Sequence, residues 1–299
     1  MASTRGIRES AGDRLFLAGI YAYLVFVLII VLLPLMHILS SSFSSPQAVT
    51  SGKVWIFPVD FSLAGYKAVF DSKSIWTGFY NSAYYTIAGT LLNVVLTVML
   101  AYPLARRTFR GRNFIMVLLV FTMLFDGGII PFYLLVRDLG MIDTRWAMII
   151  PGALAVFQVI IARTFFQSTI PEELWEAASL DGCSDFRFIL NVVLPLSKPI
   201  IAVMSLMYAV GHWNAYFDAL IFLKSQKLYP LQIVLRNILI LNTVDPTMLA
   251  NADRALALIG LKDLLKYSLI VVASLPVLII YPFVQKHFVK GVMIGSLKG

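Results

Sequence analysis

The sequence predicts an all-α integral membrane protein with six transmembrane helices. Three observations support this. Hydrophobic residues make up 59% of the chain and charged residues only 13%, against about 25% charged in a soluble globular domain; the mean hydropathy is +0.83. Apolar runs of the roughly 20 residues needed to cross a bilayer recur along the chain. One of these runs ends in Arg106, Arg107, Arg110 and Arg112 with no acid among them, a dense basic loop that marks a cytoplasmic end. Total Lys and Arg counts on the two sides are closer, so the argument rests on density.

Residues 1–14 are polar, with Arg5, Arg8 and Arg14, and read as a cytoplasmic tail. The apolar run 15–39 is too long for the core of a signal peptide and reads as an uncleaved first span. Residues 40–76, with Pro46, Gly52, Pro58 and several serines, form an external loop with a short helix near 63–70. The second span covers about 78–105 and carries Asn81, Tyr84, Tyr85, Asn93 and Pro103. The third, about 113–136, is interrupted by Asp126, Gly127, Gly128 and Pro131. Such a break is tolerated where protein or water satisfies the backbone. Asp126 is therefore either a functional intramembrane acid or the cap of a broken helix end.

The fourth span is expected at about 146–165 and the fifth at about 199–223. The fifth holds Gly211, His212, Trp213, Asn214, Tyr216 and Asp218. That cluster is polar and aromatic enough to face a cavity or a partner helix, or to anchor at the interface. The outer segment 224–266 contains an amphipathic stretch at 231–241. A sixth span follows at about 267–284, with Pro276 and Pro282 bending it. The tail 285–299 is basic and carries Lys290, Gly291, Gly295 and Gly299. The organisation is thus a membrane domain over 15–284 between two cytoplasmic tails.

Between the fourth and fifth spans lies a polar island, 166–198. Thr169 and Glu172 have the spacing of a capping box, with Pro171 in the first turn. The helix runs on through Leu174, Glu176, Ala177 and Ala178. Glu172, Glu173 and Glu176 share one face; Glu172 and Glu176 repel mildly, by roughly 0.2–0.5 kcal/mol, so that surface favours a basic partner. Gly182, after Asp181, suits a left-handed helix stop. Ser184 can cap a second short helix, which Pro195 is expected to close.

These residues carry a resemblance. Glu176-Ala177-Ala178, then Gly182, then Val192-Val193-Leu194-Pro195 is similar to the "EAA" loop of ABC-importer permeases, with Val192 where the family usually has Ile. GGIIPFYLL at 127–135, VGHWNAYFDAL at 210–220 and YPLQIVLR at 229–236 resemble the carbohydrate branch of that family, its oligosaccharide and polysaccharide permeases. The tail FVKGVMIGSLKG at 288–299 resembles the end of the maltose-type second permease subunit. The resemblance implies a type I importer permease fold and a heterodimer with a homologous permease. It also implies a cytoplasmic ATPase dimer that binds ATP and Mg, and an extracytoplasmic binding protein that delivers the sugar. The loop would form coupling helices docked on the ATPase through Glu172, Glu173, Glu176, Ala177, Ala178, Asp181, Gly182 and Pro195. Lys290, Gly291 and Gly295 would reach between the ATPase subunits. Members of this branch serve uronate-containing oligosaccharides such as alginate.

The expected function is a multi-pass inner-membrane permease subunit for oligosaccharide import, with both termini cytoplasmic. Asn81, Tyr84, Tyr85, Asp126, Trp213, Asn214, Tyr216 and Asp218 are its candidate path-lining residues. The chain has no GxxxxGK[ST] phosphate loop. His37, His212 and His287 are scattered and Cys183 is the sole cysteine, so no metal motif and no internal disulfide are expected. No catalytic residue is assigned and no cofactor belongs to this chain. The charge of +8 fits basic loops at a lipid surface rather than nucleic acid. The competing class is a stand-alone secondary sugar transporter, which predicts charge relays and repeat symmetry. Only Asp126 and Asp218 could serve a relay, and no repeat is visible.

Overall fold

In the computed structural model of the chain, residues 10–239 and 255–296 are described, with no side chains described at 255–262, 283–284 and 286–296. Among the described residues the regular structure is entirely helical. The chain divides into two compact units, one of residues 1–71 and 244–272, the other of residues 72–243 and 273–299.

The first unit begins with α1, Ala11–Ser42. Ser10 and Asp13 form a reciprocal capping box at its start, which places the helix N-terminus four residues before the expected span. From Leu15 to Leu39 the helix presents apolar side chains to its surroundings, and only Ser40, Ser41 and Ser42 are buried. α2, Pro46–Thr50, is a short helix capped by the Ser45 hydroxyl that the hydropathy pattern did not announce. α3, Ala64–Asp71, matches the expected loop helix. The Ser42 hydroxyl meets Tyr66 Oη at 2.8 Å. Gly65 lies so close to Ser268 and Leu264 that a Cβ there would overlap both, so a glycine is needed at this crossing.

The second unit is built around α4, Lys73–Ala105. It is capped by Ser72 and ends where Arg106 turns extended, two residues after Pro103's successor Leu104. A stripe of small and polar residues four apart, Asn81, Tyr85, Gly89, Asn93, Thr97 and Ala101, is buried along one face. α5, Arg112–Leu124, and α6, Ile129–Asp138, are the two halves of the expected third span. They meet at 112°. Gly128 holds φ +85° at the break, a value that L side chains avoid.

The fourth span departs from expectation. Residues Arg145–Met148 form a single 3-10 turn, the chain is irregular around Pro151 and Gly152, and only α7, Val156–Thr169, is α-helical. Proline disfavours helix in the residue before it and removes a donor, so an apolar run interrupted here cannot stay one helix. The fifth span is also divided: α11, Lys198–Trp213, stops at Asn214 and α12, Phe217–Phe222, resumes after Tyr216. Between α7 and α11, α8 (Glu172–Leu180), α9 (Asp185–Phe188), a π turn (Ile189–Val193) and α10 (Leu194–Leu196) build the polar island. α13, Leu231–Leu239, covers most of the expected amphipathic stretch, the rest of which lies outside the described residues. α14, Ala255–Ser296, is continuous through Pro276 and Pro282 and takes in both the sixth span and most of the tail.

Among the described residues three helices are long and apolar enough to cross a membrane: Ala11–Ser42, Lys73–Ala105 and, within α14, Asp263–Pro282; the number rises to five if each of two sharply bent pairs is one span. The apolar core of the second unit joins α4, α7 and α11 through Val98, Ala101, Leu104, Val159, Ala162, Phe166, Val203 and Met204.

Candidate functional site

The polar island is a helical hairpin fixed to the end of α4. Its first helix does not use the expected capping box. Thr169 is the last residue of α7, Ile170 and Pro171 are extended, and Pro171 is the N-cap of α8 without a side-chain bond. α7 extends to Thr169, which removes that hydroxyl from the start of α8. The Asp181 N–H donates to the Ala177 carbonyl at 3.2 Å and the Cys183 N–H to the Ala178 carbonyl at 2.9 Å. Gly182 has φ +73°, the left-handed stop the sequence predicts. The Ser184 hydroxyl caps α9 by accepting from Arg187 N at 3.4 Å. Pro195 does not close this helix. It lies inside a helical run whose π turn at Ile189–Val193 lets the carbonyl ladder slip past the missing proline N–H. The run stops at Ser197, where α10 and α11 form part of an 86° bend.

Arg106 holds this hairpin. Its guanidinium carbon lies 4.0 Å from the Trp175 ring centroid, and its Nη1 donates to Asp185 Oδ1 at 3.1 Å. One cation thereby ties α8 and α9 to the end of α4. Trp175 also meets Phe188 edge to face at 5.2 Å. Arg163 Nε, on α7, donates to the Leu104 carbonyl at 3.0 Å and satisfies an orphan acceptor at the end of α4. Between the arginines and α8 lies a cavity of about 550 Å³ lined in part by Arg107, Arg112, Glu172, Glu173 and Glu176. Glu172 Oε1 is buried there without a hydrogen-bond partner among the described residues. Ala178 packs inward against the core while Ala177 faces outward. The hairpin therefore offers an acidic, small-residue outer surface on a rigid mount.

The other half of the unit is a polar seam. Asn81 Nδ2 donates to the carbonyls of Lys227 (2.8 Å) and Tyr229 (3.1 Å), and Tyr85 Oη to that of Leu228 (2.8 Å). Ser82 Oγ accepts from Leu231 N at 2.8 Å and starts α13. Further along, Asn93 Nδ2 is 3.0 Å from His212 Nε2, and the Thr97 and Tyr208 hydroxyls are 2.7 Å apart. Buried polar groups in a membrane segment need such partners.

The expected path-lining residues are thus not one cluster. Asn81 and Tyr85 are fully buried and hold the 227–229 turn. Trp213 is buried and donates through Nε1 to the Ala273 carbonyl at 3.0 Å. Asp126 Oδ1 accepts from Gly128 N at 2.8 Å, a local turn within the break; α6 starts after Gly128 with no side-chain cap. Tyr84 is partly exposed; Asn214, Tyr216 and Asp218 are exposed around the α11–α12 break. Lys290, Gly291 and Gly295 lie on the helical backbone of α14, and their side chains are outside the description. Arg106, Trp175 and Asp185 were not singled out as functional from the sequence. Among the described residues no group of three or more His, Cys, Asp or Glu could hold a metal.

A helical membrane protein with broken spans and a hairpin mounted beside a basic loop has the form of a transport-system membrane component. Residues 93–294 match the family described as the binding-protein-dependent transport system inner membrane component, and the chain belongs to that family. It is 42% identical over 285 residues to protein LplC of Bacillus subtilis (strain 168), covering 95% of this chain and 93% of that one. It is 40% identical over 290 residues to the polygalacturonan/rhamnogalacturonan transport system permease protein YtcP of the same organism, covering 96% and 99%. Its fold superposes with a TM-score of 0.86 on a chain of a bacterial ABC transporter involved in import of the acidic polysaccharide alginate, at 34% identity, covering 95% of this chain and all of that one. The protein is a multi-pass membrane permease component, and the family's hydrolytic subunit is a separate chain.

Proposed function

We propose that this chain is one of two homologous permease subunits of an ATP-driven importer of oligosaccharides, with uronate-rich chains as its substrates. The acidic class rests on the similarity to a polygalacturonan/rhamnogalacturonan permease and to an alginate importer. The observation that carries the permease role is the hairpin of α8 and α9, locked to α4 by Arg106 and exposing Glu173, Glu176 and Ala177.

An ATPase dimer, binding ATP and Mg, docks on this hairpin in the cytoplasm. Its closure pulls the hairpin as a lever on α4, α7 and α11, and the breaks at 125–128 between α5 and α6, at 149–155 before α7 and at 214–216 after α11 let the spans switch between two openings. The chain crosses the membrane six times with both termini cytoplasmic, α7 and the irregular segment before it forming the fourth crossing. The membrane domain covers 15–284, with tails at 1–14 and 285–299. Tyr84, Asn214, Tyr216 and Asp218 are the path residues whose side chains stay accessible in this subunit. Asn81, Tyr85 and Trp213 support them from behind. The tail around Lys290, Gly291 and Gly295 reaches the ATPase.

The test is reconstitution with the partner permease, the ATPase and the binding protein, followed by measurement of tetragalacturonate uptake and ATP hydrolysis. Sugar-stimulated hydrolysis with uptake is the expected outcome. Uptake by this chain alone, driven by an ion gradient and indifferent to ATP, overturns the reading in favour of a secondary transporter.

A further inference from the structure

α4 carries aromatic residues four apart at its N-terminal end: Trp76, Tyr80 and Tyr84. This spacing puts them one above the other on one helix face. Trp76 is 52% and Tyr80 63% exposed. Arg145, at the start of the 3-10 turn, lies against this ladder. Its guanidinium carbon is 4.6 Å from the Tyr84 ring centroid and 5.9 Å from that of Tyr80. Trp146, beside it, is also exposed.

Arg145 has no ion pair among the described residues. The acid nearest in sequence, Asp143, is fully engaged elsewhere: Oδ1 accepts from Lys224 N and Ser225 N, and Oδ2 from the Ser225 hydroxyl. Stacking uses the flat face of a guanidinium and leaves its in-plane N–H groups for a bidentate carboxylate. Tyr84 lies 22 residues from Arg106, or about 33 Å along a helix, which is the thickness of the hydrocarbon layer. With Arg106 at the cytoplasmic face, the Arg145 group stands at the outer mouth, where a delivered sugar chain enters.

We propose that Arg145, stacked on Tyr84 and Tyr80, is a carboxylate-binding subsite for acidic oligosaccharides at the outer mouth of the permease. The guanidinium edge pairs with a uronate carboxylate. The exposed faces of Tyr80 and Trp76 receive the apolar faces of neighbouring sugar rings. The cation supplies what Asp218 cannot, since a carboxylate repels a uronate. A neutral oligosaccharide engages the aromatics but leaves the guanidinium edge unpaired.

This subsite rests on the acidic-oligosaccharide reading, and one experiment separates the two. The complete reconstituted importer is supplied with binding protein saturated with tetragalacturonate or with its methyl ester. The wild-type protein tests the reading: import of the ester alone, or of neither probe, ends it and the subsite with it. Where the wild type imports tetragalacturonate, Arg145→Gln is expected to slow that import by about tenfold or more, the loss of a charge-assisted bond, and to slow import of the ester by less than about twofold. Arg145→Lys, which keeps the charge but not the fork, falls between. Size exclusion establishes that each variant assembles; should Arg145→Gln fail to, the lysine variant decides by the same ratio. Equal slowing of both probes, or none, overturns the subsite and leaves Arg145 a role in packing, lipid headgroup contact or binding-protein docking.

Discussion

The Arg106 guanidinium lies 4.0 Å above the Trp175 ring while bonded to Asp185 at 3.1 Å. This arginine belongs to the dense basic loop that follows α4, and it is also the bolt between α4 and both helices of the hairpin. Its side chain is 19% exposed and that of Asp185 71%, so the ion pair is screened and worth at most about 1 kcal/mol. The stacking on Trp175 adds about 0.5–1 kcal/mol. Arg106→Ala is expected to loosen the hairpin without unfolding the spans. Amide exchange over 172–188 should speed up by about tenfold, the factor for 1.4 kcal/mol, with α4 unchanged. Exchange in the hairpin at the wild-type rate would show that Phe188 and Trp175 hold it unaided.

A second prediction concerns Gly89. A Cβ there would lie 2.4 Å from the His212 ring, whose Nε2 is paired with Asn93. The ring can move only by giving up that bond. Gly89→Ala should therefore destabilise the protein by about 1–3 kcal/mol, read as a lower apparent Tm in detergent. His212→Ala should recover part of the loss when combined with it. An unshifted Tm for Gly89→Ala would mean that α4 and α11 slide apart at little cost.

These two contacts also show how far the sequence could be read. Composition and apolar runs place the long helices, because crossing lipid demands length and apolarity whatever the packing; the arginine cluster placed the end of α4 to the residue. The hairpin was legible through Gly182 and Ser184, whose chemistry is local. Hydropathy hid the breaks at Pro151-Gly152 and Asn214, since a window averages across a kink that adds no charge. It also could not separate path from seam. Asn81 and Asn214 look alike as polar residues in apolar runs, yet Asn81 bonds a turn 146 positions away, and only tertiary structure supplies that partner. Thr169 and Glu172 satisfied the spacing of a capping box, but α7 had already claimed Thr169.

Asp143 supplies a pH-dependent prediction outside the spans. It sits at φ +59° and clamps the turn after α12. The Ser225 hydroxyl, then the backbone N–H groups of Ser225 and Lys224, hold its carboxyl below the ordinary value of 3.8. A carboxylate with a lowered folded-state pKa stabilises fully above the unfolded value, and that contribution is lost as pH falls through the lowered one. The apparent Tm of the wild type should therefore fall further between pH 6 and about pH 3 than that of Asp143→Asn, in which the clamp no longer titrates. Parallel falls in the two proteins would remove Asp143 from the account.

The hairpin itself gives the sharpest prediction. Gly182 holds φ +73°, and a Cβ built there meets nothing within 4 Å. Any cost of substitution is therefore conformational: Gly182→Val opposes a left-handed backbone at about 1–2 kcal/mol, whereas Gly182→Asn suits it. Valine should swing α9 away from α8 and strain the Arg106–Asp185 bond; asparagine should leave the hairpin in place. Glu176 lies on the outer, acidic side of the same hairpin, and Glu176→Lys reverses the charge this surface would offer to the proposed ATPase partner. If that glutamate is paired and buried in the docked complex, breaking the pair costs about 3–5 kcal/mol. The Val and Lys variants should insert and pair with the partner permease normally, because α4, α7 and α11 are untouched. Both should lose sugar-stimulated ATP hydrolysis, Glu176→Lys by shedding the ATPase and Gly182→Val by uncoupling it, while Gly182→Asn keeps most of it. Bound ATPase and stimulated turnover in the reconstituted complex distinguish these outcomes. Wild-type values in both damaging variants would reduce the hairpin to a connector and remove the main support for the coupling role.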